Sequence, residues 1–172
     1  ASSPPSINKF ESRGIFLLLN LAKKLPNIEF ILLWRKTGLK KLKKEIKKRQ
    51  LTNIKIINKI IKNTNKIYSE CDITITPFKG KHLHKPIPHS IIESLSFEKP
   101  VIVTEDMNIS KLIKENKCGI VCLQKVDELE KSIKLLIKNY KIYQENTQKT
   151  IKKHFIKENF INKHKLIYKE IR

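Results

Sequence analysis

The chain has 172 residues, of which 40% are hydrophobic and 31% charged, a composition that fits one folded domain with a substantial core and excludes a disordered tail. Lysine and arginine number 37 against 16 acidic residues, which gives a formal net charge of +21. Such a charge favours anionic partners: nucleotides, nucleic acid or an acidic membrane surface. The lysines are spread along the chain, so a merely solvated basic face is the favoured explanation.

The cysteine pattern and the absence of long apolar runs exclude other classes. Cys71, Cys118 and Cys122 form no C-x-x-C pair, which predicts reduced thiols in a cytosolic protein. The first residues contain no apolar segment typical of a signal peptide, and no apolar run approaches the ~20 residues of a membrane span. We expect a cytoplasmic protein, peripheral at the membrane if the basic surface contacts it. The opening at Ala1 suggests a domain excised from a longer chain.

Helical and strand patterns alternate along the chain. The segment 13–25 carries Phe16, Leu21 and Leu25 at helical spacing and stops at Pro26. In chain order the predicted elements are helix 13–25, strand 29–34, helix 39–50, strand 54–57, helix 63–70, strand 72–76, a helix from residue 90, strand 101–104, helix 109–115, strand 119–121, and helices 126–138, 140–152 and 160–171. This alternation predicts an α/β fold, a Rossmann-like doubly wound parallel sheet with extra C-terminal helices. We expect a single domain over residues 1–172.

The longest loop at the ligand-binding edge of that sheet is 77–90. In an open parallel sheet, ligands bind beyond the carboxyl ends of the strands. This loop leads into a helix start, which suits a phosphate because its N–H groups are unpaired. Lys79, Lys81 and Lys85 add positive charge nearby. Neither G-x-G-x-x-G nor a P-loop motif occurs, so a standard dinucleotide site is not supported.

Glu93 has two competing interpretations. With Ser90 it matches the spacing of a capping box, in which both side chains bond to backbone N–H groups at the helix start. Alternatively its carboxylate accepts hydrogen bonds from vicinal sugar hydroxyls, as acidic residues after Rossmann strands do.

Several motifs, taken in order, resemble the carboxyl-terminal, donor-binding half of GT-B glycosyltransferases, specifically the retaining enzymes of glycosyltransferase family 4. Segments 85–94 and 99–104 are similar to the signature of that family around its second glutamate. Segment 69–77 resembles its "ADV-x-V-x-PS" strand, and 119–121 its "G-x-L-V". Arg13-Gly14 occupies the place of its Lys-Gly at a helix start.

The resemblance implies roles for matching residues. Glu93 would hold the ribose of a nucleotide sugar, and Arg13 would contact the diphosphate. His89 and Ser90 lie where backbone N–H groups would meet the phosphates, and Ile91 would face the core or line the ribose. The donor would be a nucleotide-diphosphate sugar, transferred with retention and without a metal or other cofactor.

The resemblance also implies partners and one departure. The nucleobase would rest near Arg35 and Lys59. Lys85 stands where the family has its first glutamate, beside the transferred sugar, so no catalytic residue is assigned. The acceptor would be a glycan or a lipid-linked sugar, with the acceptor-binding N-terminal half absent from this chain and an anionic membrane as a further partner. We expect the isolated domain not to turn over.

Two other functions stay open. One is a polyanion- or RNA-binding module, although no basic motif interleaved with aromatic residues suggests a specific nucleic-acid partner. The other is a pseudo-glycosyltransferase kept for interaction, which Lys85 favours. A metal site at His82 and His84 is disfavoured because flanking lysines repel cations. Trp34, at the end of a buried strand, is predicted to lie in the core.

Overall fold

The structure is a computed structural model that describes residues 4, 6–35, 37–61, 63–80, 87–159, 161, 165 and 168. A 3₁₀ turn at Ile7–Lys9 precedes the first helix. In chain order the elements that follow are α1 Ile15–Lys24, β1 Phe30–Leu33, α2 Leu39–Lys48, β2 Ile54–Ile57, α3 Asn65–Glu70, β3 Thr74–Thr76, α4 His89–Ser96, β4 Val101–Thr104, α5 Ser110–Asn116, β5 Gly119–Cys122, α6 Val126–Lys138 and α7 Tyr140–His154.

The predicted order of helices and strands is confirmed, and the bounds differ at the ends. Helix α1 begins at Ile15 and not at residue 13, because Gly14 adopts a left-handed conformation at its N-cap. Helix α4 begins at His89, one residue before the predicted start. Most of the helix predicted over 160–171 lies outside the described residues.

All strand pairs are parallel, as the α/β pattern predicts. Strand β1 pairs with β2, with Phe30 opposite Ile54, and β3, β4 and β5 form a second sheet in that order. The predicted single sheet is therefore divided, and no strand pairing among the described residues joins β1 to β3. A doubly wound sheet has a strand before its first helix at its centre. Here the described residues just before α1 form the 3₁₀ turn.

Side-chain packing joins the two sheets where backbone pairing does not. One buried cluster combines Leu21 of α1, Phe30 of β1, Ile102 of β4 and Leu136 of α6. A second cluster lies between α1, β1 and α2 and includes Trp34, which is 1% exposed. The expectation that Trp34 belongs to the core is confirmed. Burial of this apolar surface is the main stabilising contribution to the fold.

None of the helices in the described part of the chain is long and apolar enough to span a membrane.

The start of α1 lies directly against the end of β3. Gly14 has φ 64°, and a Cβ atom there would be 2.3 Å from the carbonyl oxygen of Pro77. Only glycine permits both the backbone conformation and the close approach. Next to it, the amide of Lys79 donates a hydrogen bond of 2.9 Å to the Ser12 carbonyl. The loop after β3 and the turn before α1 are therefore held together.

Gly14→Ala is expected to destabilise the protein by about 3 kcal/mol, because it combines backbone strain with a clash against a backbone oxygen. Gly38→Ala is the matched control, since Gly38 also has positive φ (70°) but its Cβ would meet the Phe10 ring at 2.7 Å. A ring can shift by a few tenths of an ångström, so that variant should lose only about 1–2 kcal/mol. Urea denaturation of both variants measures the difference, and equal losses would contradict the proposed close approach.

Candidate functional site

Helix α4 begins without a side-chain cap at the carboxyl edge of the second sheet. Its N-cap is Pro88, and among the residues that the structure describes no side-chain hydrogen bond caps it. The predicted capping box is wrong, because the helix begins at His89 and Ser90 is already inside the first turn. First-turn N–H groups have no acceptor within a helix, so this start is suited to an anion.

The carboxylate of Glu93 is held by a tyrosine. Tyr68 on α3 donates a hydrogen bond of 2.9 Å from its hydroxyl to Oε2 of Glu93. Its ring is 6% exposed and stacks on Phe97, with centroids 5.5 Å apart and planes 8° from parallel. Burial, and then the bond to Glu93, raises the pKa of Tyr68 well above its ordinary value. The hydroxyl is therefore a neutral donor at physiological pH.

Sequence reasoning missed Tyr68. Its place in a short helix between two strands is an ordinary core position, and the pairing with Glu93 spans 25 residues. A tyrosine within the predicted helix 63–70 was the one available signal, because a buried tyrosine hydroxyl usually has a partner.

Arg13 lies beside the loop that follows β3. Its guanidinium carbon is 4.4 Å from the centroid of the Phe78 ring, a cation–π contact. Partial burial lowers the pKa of Arg13 from its usual value, yet an arginine remains charged at neutral pH. The structure therefore places the predicted diphosphate-binding cation against the loop that leads towards α4.

Three polar side chains from the neighbouring strand ends hold the first residues of that loop. Thr104 Oγ1, at the end of β4, donates to the Phe78 carbonyl. Asp106 Oδ2 accepts from the Gly80 amide at 2.9 Å, and Gln124 Nε2 donates to the Pro77 carbonyl at 2.8 Å. A cleft of ≈ 250 Å³ opens beside this arrangement; its lining residues are Lys79, Thr104, Glu105, Asp106, Leu123, Gln124 and Lys125.

The other residues predicted on the α4 side divide between surface and core. His89 is exposed and Ser90 is half-buried. Ile91 is 0% exposed and packs in the core cluster with Leu95 and Val103. Its side chain therefore faces the core. The alternative prediction, that Ile91 lines a ribose, is wrong for the side chain because none of it reaches the surface.

The predicted base-binding loops lie at the carboxyl ends of β1 and β2. Arg35 and Lys59 are both exposed there. Asn58 connects the two loops, since its Nδ2 donates to the carbonyls of Trp34 at 2.7 Å and Arg35 at 3.0 Å. Lys85, like His82 and His84, lies outside the described residues. Within the described ranges, no group of three or more His, Cys, Asp or Glu side chains is placed to hold a metal ion.

Residues 6–154 match the family model described as glycosyl transferases group 1. Because the match covers most of the chain, the protein belongs to the glycosyl transferases group 1 family. No curated protein sequence matches it.

Solved structures share the fold at low sequence identity. A glycosyltransferase from Rickettsia africae has a TM-score of 0.76 at 22% identity, over 93% of this chain and 45% of that one. Sucrose-phosphate synthase from Thermosynechococcus elongatus has a TM-score of 0.78 at 14% identity, over 94% of this chain and 43% of that one. The Anabaena protein HepE, solved with UDP and glucose, has a TM-score of 0.68 at 16% identity, over 81% of this chain and 39% of that one. The chain thus spans less than half the length of each, and the likeness establishes a Rossmann-like half of a GT-B fold.

Asp106→Ala is expected to raise the hydrogen-exchange rate of the Gly80 amide about tenfold, because a charge-assisted hydrogen bond to that amide is lost. Glu105→Ala is the matched control, since it removes the same charge from the neighbouring position. NMR-detected exchange measures both rates. An unchanged Gly80 rate in Asp106→Ala, or equal effects of the two substitutions, would show that Asp106 does not hold the loop.

Proposed function

We propose that this domain binds the nucleotide part of a nucleotide-diphosphate sugar and acts as the donor half of a retaining glycosyltransferase. The observation that carries the proposal is the state of Glu93: its carboxylate takes no part in a helix cap and is held by the Tyr68 hydroxyl. A carboxylate oriented in this way can accept hydrogen bonds from the vicinal hydroxyls of a ribose.

The diphosphate would lie between the start of α4 and Arg13. The uncapped amides at His89 and Ser90 supply partial positive charge, and the guanidinium of Arg13 supplies a full charge on the loop side. Both groups stabilise negative charge that develops on a departing diphosphate, so they act more strongly as the bond to the sugar breaks. The donor's own phosphate would assist departure and attack on one face of the sugar, without a metal.

The base would rest between the loops that carry Arg35 and Lys59, which Asn58 holds together. The acceptor, a glycan or a lipid-linked sugar, would bind to the other half of a GT-B enzyme, since this chain matches less than half the length of the solved structures. On its own the domain would therefore bind the donor without transferring the sugar. UDP in the Anabaena protein is a ligand of that protein, and it makes UDP one of the nucleotides to test here.

The first test is a calorimetric titration with UDP, GDP, ADP and tripolyphosphate at physiological salt. We expect one nucleotide to bind more tightly than tripolyphosphate, and Glu93→Gln to weaken it about 10- to 100-fold through loss of charged hydrogen bonds to the ribose. The melting temperature should be unchanged, because the glutamine carbonyl still accepts from Tyr68. Glu115→Gln, on the exposed end of α5, removes the same charge and should have no effect.

Equal binding of all polyphosphates, insensitive to Glu93→Gln, would contradict the proposal. It would leave a polyanion-binding surface, whose affinity falls steeply with salt. Nucleotide binding without sugar transfer in the presence of a complete acceptor half would instead indicate the pseudo-glycosyltransferase.

We also propose that an anionic membrane surface is a partner of α2. This helix has only Leu42 buried, and its exposed face carries Lys40, Lys43, Lys44, Lys47 and Lys48. Lysines close to an anionic bilayer contribute about 1 kcal/mol each.

Changing Lys43, Lys44 and Lys47 to glutamate is expected to reduce co-flotation with phosphatidylserine vesicles at least tenfold at low salt, because attraction becomes repulsion. The control changes Lys111, Lys114 and Lys149, which are exposed on α5 and α7, and so alters the net charge equally. An equal reduction in both variants would show a general charge effect and not a membrane-binding face on α2.

A further inference from the structure

We infer that Tyr68 is a positioning residue that sets the selectivity of this site for ribonucleotides, an inference that rests on the proposed function of Glu93. Its hydroxyl lies 2.9 Å from Glu93 Oε2 and 3.3 Å from the carbonyl oxygen of Ser90. One buried side chain therefore contacts both the carboxylate proposed to hold the ribose and the first turn of the helix proposed to hold the diphosphate.

Contacts of its ring and of its backbone hold Tyr68 in place. The ring is stacked on Phe97 at the end of α4, and the side chain is 6% exposed. The amide of Tyr68 bonds to the Thr64 carbonyl at 3.1 Å in the first turn of α3. A hydroxyl held in this way cannot rotate far from Glu93, so it fixes one carboxylate oxygen and with it the plane of the carboxylate.

The hydrogen-bonding capacity of the pair suits two further donors. Each oxygen of a carboxylate has about two lone-pair sites. Oε2 of Glu93 can accept from Tyr68 and from one sugar hydroxyl, while Oε1 accepts from the adjacent hydroxyl. A free glutamate side chain loses conformational entropy when it binds a ligand. The hydrogen bond from Tyr68 already restricts the Glu93 side chain before binding, so less entropy is lost when the sugar binds. A sugar lacking the vicinal hydroxyls gains nothing from this arrangement.

Burial raises the pKa of Tyr68, so the hydroxyl keeps its proton and does not repel Glu93. A lysine or arginine at position 68 would form an ion pair that competes with the ligand for the carboxylate. The neutral tyrosine orients the carboxylate and leaves its charge available to the sugar hydroxyls.

The test compares UDP, GDP and ADP with their 2′,3′-dideoxy forms in the wild type and in Tyr68→Phe. The substitution removes the hydroxyl and keeps the ring on Phe97. For the nucleotide that binds most tightly, affinity should fall about three- to tenfold. The dideoxy form should bind the wild type and Tyr68→Phe equally. The ratio of ribonucleotide affinity to dideoxynucleotide affinity should therefore shrink by the same factor in Tyr68→Phe.

Two controls separate positioning from stability. Ser94 lies in α4 beside Glu93, and its hydroxyl makes buried hydrogen bonds of 2.8 Å with Thr74 and 2.9 Å with the Lys99 carbonyl. Ser94→Ala removes both bonds and should lower the melting temperature without changing the ratio of ribonucleotide to dideoxynucleotide affinity. In a Glu93→Ala background, Tyr68→Phe should have no further effect on the ratio of ribonucleotide to dideoxynucleotide affinity, because no side-chain acceptor remains for Tyr68 to orient.

The outcomes distinguish this inference from the proposed function. If the wild type does not prefer any nucleotide to tripolyphosphate, the donor site itself is refuted, and the role of Tyr68 with it. If the wild type distinguishes ribose from dideoxyribose and Glu93→Gln loses that ability while Tyr68→Phe keeps it, the donor site stands and Tyr68 has only a structural role.

Discussion

The contact between Gly14 and Pro77 is the constraint on which the rest of the site depends. A backbone without a Cβ atom lies against a backbone carbonyl, so the start of α1 approaches the residue after β3 more closely than a Cβ atom would allow. The same carbonyl accepts a hydrogen bond from Gln124, and the amide of Lys79 bonds to Ser12. These contacts fix the backbone on both sides of Arg13, at Ser12 and Gly14, against the loop after β3. The position of Arg13 beside that loop is therefore set by the fold.

The two sides of the site are held in different ways. On the Arg13 side, polar side chains at the end of β4 and after β4 and β5 bond to the backbone of residues 77–80. On the α4 side, the ring stack of Tyr68 on Phe97 and the hydroxyl bond to Glu93 provide the order. Under the proposed function, a preorganised site of this kind loses little entropy when the charged donor binds. In that proposal, its residues also stabilise the charge that develops during sugar transfer.

The fold was largely predictable because its signals are local. Strands of β-branched residues such as Val101–Thr104 and an amphipathic helix such as Val126–Lys138 were predicted with the bounds that the structure has. The division of the sheet was not predictable, because pairing depends on which strand edges meet. The start of α4 was missed by one residue, and that single residue decided against the capping box, since a cap depends on which residue has extended backbone.

The sequence by itself determined the α/β class, the parallel strands and the placement of Arg13, Ser90 and Glu93 at loop and helix starts, because periodicity and helix-stop residues act over a few positions. Only the tertiary structure decided that Glu93 takes no part in a helix cap, that Ile91 faces the core, and that the Tyr68 hydroxyl bonds to Glu93 across the α3–α4 interface. Those features depend on contacts between segments distant in sequence, whose distances and directions no local pattern encodes.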